Sequence, residues 1–322
     1  MKKFFISVYA FIYKTGLKLF GGKGLYKIWP FGAIYDALRG TLWNHNWPEK
    51  FEIDGHTIYP LPVQRAALAM YGGTREALEF ELFRHEIPRG TTVIDVGANI
   101  GFYTLPFARA VGEHGHVFAF EPAPENLNYL KKNIKANGYK NVTVVEKAVG
   151  DYDSVIKLYL SGFNPGGHQI FDMREKIFEG ELTDDRKALL EDEHSNMPRK
   201  SVEVSIVSLD AFLKDHPQPI SFIKMDVEGA EGGVLRGMKK VLEKNKDIKL
   251  HFEFTPSQMR LFGTDPSEFL RELAAMEFTL YDLRNFKHAK NELPKITPEA
   301  LLASCAGNHS AEIFAKRLQF YT

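Results

Sequence analysis

The sequence predicts an α/β fold: a mostly parallel sheet with helices on both faces. Three observations predict it. From residue 91 onward, short β-branched runs such as Thr92–Val96 and Val142–Val145 alternate with helical stretches. Apolar runs of this length, bounded by turn residues, suit strands that are buried on both faces. A glycine-rich turn, Gly97-Ala98-Asn99-Ile100-Gly101, leads from the first of these runs into a helix. Acidic residues stand at or just beyond strand ends, at Asp95, Glu121 and Asp226, on the rim where such sheets bind ligands.

Residues 1–47 read as an aromatic helical extension, broken at Gly21-Gly22 and Trp29-Pro30. Met1-Lys2-Lys3 and the run Phe4–Tyr13 have the look of a leader, but Lys14 and Lys18 interrupt the run and no small-residue cleavage site follows. The run is too short to span a bilayer as a helix. Two readings stay open: a peripheral membrane contact through residues 1–20, or a helix packed on the domain or on a second copy in a homodimer. Residues 51–60 predict a hairpin turning at Asp54-Gly55, and 74–87 a helix stopped by Pro88. Strands follow at 92–96, 116–120 and 142–145, with helices at 102–111 and 124–136 between them. Further strands are predicted at 155–160 and 202–207, separated by a Gly- and charge-rich insertion at about 161–200. Regular alternation resumes with a helix at 209–214, a strand at 220–225, a helix at 231–244 and a strand at 248–254. A helix at 265–276 and strands at 278–283 and 311–316 complete the 48–322 domain.

The balance of 41 basic and 41 acidic residues gives no bulk attraction to nucleic acid. A single cysteine, Cys305, excludes an internal disulfide and a four-cysteine zinc site, and a cytoplasmic setting is expected. No His-plus-carboxylate spacing suggests a metal, and none is assigned.

The chemistry concentrates in three motifs. In the first, Asp95 to Gly101, glycines permit a tight turn and close approach to a ligand, and the exposed N–H groups favour an anionic group. Gly97 and Gly101 stand four apart with Asn99 between, which departs from the G-x-G-x-x-G of nicotinamide enzymes. In the second, Phe120-Glu121-Pro122, a carboxylate at the end of a second strand can accept both hydroxyls of a ribose. The third, Lys224-Met225-Asp226-Val227-Glu228-Gly229-Ala230-Glu231, gathers carboxylates at the same rim. Asp226 and Glu228 are candidates for proton removal, with His251 a further candidate on the next strand beside Glu253. Glu231 reads equally as a helix-start acid, and His168 as a solvated loop histidine.

These motifs, together with Ser208-Leu209-Asp210, resemble the FkbM-type methyltransferase family over roughly residues 50–316. The resemblance implies a Rossmann-like class I methyltransferase sheet, mostly parallel with the final strand antiparallel, and S-adenosylmethionine as methyl donor. It implies that the Asp95–Gly101 loop holds the methionine part, Glu121 the ribose and Ala148 the adenine. Asp226 would sit near the methyl-transfer centre. The implied acceptor is a hydroxyl of a sugar, glycolipid or secondary metabolite. Two alternatives stand beside it: a nicotinamide-dependent oxidoreductase, and a non-catalytic membrane-docking protein on the same fold.

Overall fold

The computed structural model describes residues 47–65, 68, 76–160, 200–286, 292–307 and 309–317. The expected N-terminal extension up to residue 46 and the insertion at 161–199, with His168, lie outside the described residues. The chain divides into two compact units, residues 1–77 and 78–322.

In the first unit, β1 (Phe51–Ile53) and β2 (His56–Ile58) form the expected hairpin. Asp54 and Gly55 have φ of 50° and 73°, the paired left-handed residues that a two-residue hairpin turn requires. Helix α1 (Glu76–Glu86) starts at the end of this unit and lies mostly in the second.

In the second unit, β3 (Thr92–Val96), α2 (Thr104–Val111), β4 (His116–Phe120), α3 (Pro124–Ala136) and β5 (Val142–Val145) follow one another. Next come β6 (Ala148–Val149), β7 (Ser154–Tyr159), β8 (Ser201–Val207), α4 (Leu209–Phe212) and β9 (Ile220–Met225). Then follow α5 (Glu231–Arg236), α6 (Lys239–Lys244), β10 (Lys249–Phe254), α7 (Pro256–Leu261) and α8 (Pro266–Ala275). The chain continues through β11 (Phe278–Asp282), β12 (Lys295–Ile296), α9 (Pro298–Ser304) and β13 (Ala311–Arg317).

The main sheet has the order β12-β11-β13-β10-β9-β3-β4-β5. β5, β4, β3, β9 and β10 are mutually parallel, and β13 runs antiparallel between β10 and β11. This is the predicted α/β sheet with its last strand reversed. β3 and β9 are buried along their whole length, which explains why they read as continuous apolar runs. A second sheet, β6-β8-β7, is three-stranded and stands apart from the first. The strands predicted at 155–160 and 202–207 belong here, paired antiparallel with each other.

Two predicted helices change. The one expected at 102–111 starts at Thr104, because residues 97–103 form the ligand loop and its exit. The one expected at 231–244 breaks into α5 and α6 at Gly237-Met238. A Cβ on Gly237 would fall 1.9 Å from the Gly150 carbonyl oxygen, so two backbones touch where the helix ends. The Ser208-Leu209-Asp210 motif stitches this region together. Ser208 Oγ caps α4 by accepting from the Ala211 N–H, and the Asp210 carboxylate accepts from the Lys240 and Val241 N–H groups of α6. Among the described residues no helix is long and apolar enough to cross a membrane.

Candidate functional site

A cavity of about 310 Å³ opens at the carboxyl ends of β3, β4 and β9, within the size range of small-molecule sites. Its first wall is the loop after β3. The Gly97 and Ala98 N–H groups donate to the Phe120 carbonyl, which ties the loop to the end of β4. Gly97, Asn99 and Gly101 all take positive φ, at 77°, 50° and 91°. Gly97 has no alternative: a Cβ there would meet the Asp226 carbonyl oxygen at 2.0 Å. Asn99 lines the cavity, and its side-chain oxygen is buried with no hydrogen-bond partner among the described residues. An orphan acceptor of that kind calls for a ligand donor.

The second wall carries Glu121. Its two carboxylate oxygens accept from the Asn99 and Ala123 N–H groups, both at 2.8 Å. The acid therefore fixes the loop as well as facing the cavity. Burial raises its pKa to about 7, against the opposing pull of the Ala123 and Asn99 N–H groups and the Asn126 side chain. Ribose hydroxyls would donate to the ionised form. Donor affinity is therefore expected to be constant above about pH 8 and to weaken as pH falls through 7, approaching tenfold per unit below it. Calorimetric titration of S-adenosylhomocysteine between pH 5.5 and 8.5 checks this; a flat profile would contradict the assignment. Ala148, on β6, also lines the cavity with Leu158 and Ile206, apolar side chains suited to a planar base.

The third wall is the turn after β9. Asp226 and Glu228 both line the cavity. Asp226 is 43% exposed, with Oδ2 lying 3.2 Å from the Lys224 ammonium. Glu228 is held in the left-handed region at φ 54° and accepts from Gln258 Nε2 at 3.2 Å. Glu231, by contrast, is buried beneath this turn. Its Oε1 accepts from the Val227 and Gly229 N–H groups, and burial raises its pKa to about 8. It shapes the turn from behind.

Three predicted site residues stand behind the cavity. Asp95 is fully buried, with Oδ2 accepting from the Thr104 hydroxyl at 2.6 Å and Oδ1 lying 3.6 Å from Lys224 Nζ. It supports the loop from below. Gly101 faces the Leu130 side chain of α3. His251 is 2% exposed, packed edge-on against Phe83 and near Tyr103, with Nε2 lying 3.6 Å from Glu312. The alternation on β10 predicted its face but not its depth, and the aromatic shell keeps it from the cavity. His251 is therefore not retained as a base. Asn126, Tyr152 and Phe262, which the motifs did not single out, line the cavity, as do Asp151 and Arg236, joined at its rim by a 2.7 Å ion pair.

A reversed last strand, a glycine-rich loop and a buried acid after the second strand define a class I methyltransferase. The FkbM methyltransferase domain profile matches residues 95–280. That is more than half of the chain, and the chain belongs to this family of S-adenosylmethionine-dependent methyltransferases. A second profile, for protein-L-isoaspartate (D-aspartate) O-methyltransferases, matches residues 27–152. "Methyltransferase 1" of Beauveria bassiana is 26% identical over 185 residues, covering 53% of this chain and 72% of its own length. A protein-L-isoaspartate O-methyltransferase of Ignicoccus hospitalis is 41% identical over 66 residues, covering 20% of this chain and 30% of its own length. A Streptococcus mutans methyltransferase solved in complex with SAH has a TM-score of 0.40 at 12% identity, covering 75% of this chain and 97% of its own.

Proposed function

We propose that the protein transfers the methyl group of S-adenosylmethionine to a hydroxyl oxygen of a sugar, glycolipid or secondary metabolite. Asp226 takes the acceptor proton, and Glu228 helps to orient the hydroxyl. The observation that carries this reading is that Asp226 and Glu228 line the same cavity as Glu121 and Ala148. With ribose on Glu121 and adenine by Ala148, the donor's sulfur end lies toward Asp226. When bound, the donor supplies a methyl group already activated by its sulfonium. The acceptor oxygen–carbon bond forms as the sulfur–carbon bond breaks, and the hydroxyl proton passes to the Asp226 carboxylate. What remains for the chain is alignment and that proton.

A carboxylate acceptor, as in the isoaspartate enzymes, is disfavoured by charge. The Asp226 and Glu228 carboxylates already line the cavity, and a third beside them would meet like-charge repulsion. The isoaspartate profile also stops at residue 152, before Asp226, so that similarity speaks for the donor half alone.

Asp226→Ala is expected to lower methyl transfer by about 10²–10⁴-fold and to leave S-adenosylhomocysteine affinity within roughly threefold, less than 1 kcal/mol. Isotope transfer from labelled donor to sugar hydroxyls and to an isoaspartyl peptide, with calorimetry alongside, tests both halves. Label on the peptide, released by mild alkali as an ester, would overturn the hydroxyl reading. Near-normal transfer by the variant would remove Asp226 from its role.

A further inference from the structure

Lys224 occupies the penultimate position of β9 and is 2% exposed. Its ammonium reaches both ligand loops from beneath. It donates to the Gly97 carbonyl at 3.3 Å in the loop after β3, and lies 3.2 Å from Asp226 Oδ2 in the turn after β9. Asp95 Oδ1 stands 3.6 Å away, and the Tyr103 ring lies under the ammonium at 4.9 Å. The two loops are themselves in backbone contact, since a Cβ on Gly97 would strike Asp226. One buried cation thus joins a donor-loop carbonyl, a supporting carboxylate and the cavity-lining Asp226.

Stability is a weak reason for such a group. A buried ion pair commonly gives no more stability than apolar residues of the same volume. Its geometry is informative instead. Asp95 and Asp226 bring two negative charges, and Lys224 cancels one. Asp226 and Glu228 remain the carboxylates that line the cavity, and the lysine tempers the charge that Asp226 presents to a sulfonium. Without that tempering, the added negative charge would stabilise a sulfonium before transfer more than during it, when the positive charge is dispersing, and so would slow the reaction.

We propose that Lys224 is a positioning residue that locks Asp226 to the donor loop and sets the charge that a sulfonium meets. The inference rests on the functional reading above, in which the donor's sulfur end lies beside Asp226. It makes a prediction that a merely structural lysine does not. S-adenosylmethionine carries a sulfonium and S-adenosylhomocysteine does not, so their affinity ratio reports local charge.

Both ligands are titrated by calorimetry into wild type, Lys224→Met, Lys224→Arg and Asp226→Asn. The preference for S-adenosylmethionine over S-adenosylhomocysteine is expected to rise about tenfold in Lys224→Met, to fall about tenfold in Asp226→Asn, and to return toward wild type in Lys224→Arg. Should Lys224→Met fail to fold, Lys224→Gln takes its place with the same rise expected, and Asp226→Asn checks that the ratio reports the charge at Asp226. Equal losses for both ligands, with the ratio unchanged, would overturn the inference. A wild-type protein that bound neither ligand would overturn the functional reading itself, so the two failures are told apart.

Discussion

Replacing Glu121 with alanine is expected to weaken donor binding by roughly 100-fold or more. Two effects combine. A ribose presenting both hydroxyls would lose two charge-assisted hydrogen bonds, each contributing about 1.5–3 kcal/mol. The Asn99 and Ala123 N–H groups would also lose the carboxylate that holds them, so the loop that carries the orphan Asn99 oxygen would no longer be fixed. Glu121→Gln separates these contributions. It keeps the shape but turns an N–H₂ group toward one of two backbone donors. Its affinity should fall between wild type and alanine, and its pH dependence between 5.5 and 8.5 should vanish. Calorimetry with S-adenosylhomocysteine reads all of this. Alanine-variant affinity within threefold of wild type would contradict the ribose role.

The second large effect is expected at Gly97. A methyl group there would lie 2.0 Å from the Asp226 carbonyl oxygen on a residue already at φ 77°. Left-handed strain in a non-glycine residue costs about 1–3 kcal/mol. The clash adds to it, because the Cβ is fixed to its own Cα and the Asp226 oxygen is backbone, so neither can swing aside. Gly97→Ala is expected to lose more than about 2 kcal/mol of stability and to bind donor poorly, since the two loops must separate. Gly90→Ala is the control. Gly90 has nearly the same φ, 79°, but nothing within 4 Å of its would-be Cβ, so only the strain applies. Equal melting temperatures for the two variants would show that loop contact adds nothing.

Much of this was legible in the sequence because it is local. The β3 run, the glycine spacing and Glu121 lie within 30 residues, and their geometry follows from strand, turn and strand. Asp226 and Glu228 were legible as carboxylates at a strand end. Depth was not legible. His251 alternates as a rim residue would, but Phe83 and Tyr103 enclose it, and both come from segments more than 140 residues earlier in the chain. Lys224 reads as an ordinary charged residue until Asp95 and Asp226 are seen to meet it. The break at Gly237 is silent too, because helical periodicity continues across it. Its cause is Gly150, which arrives from a different sheet. Phe262 and Tyr152 carry no motif at all; their place at the cavity is set by how α7 and β7 are packed.

A crystal structure of the wild-type protein with S-adenosylhomocysteine tests the methyl-donor site most directly. Ribose hydroxyls are expected on Glu121, the base beside Ala148, the amino-acid end at Asn99 and the sulfur facing Asp226. Ligand density in another cavity, or a pose with the sulfur turned away from Asp226 and Glu228, would contradict this placement.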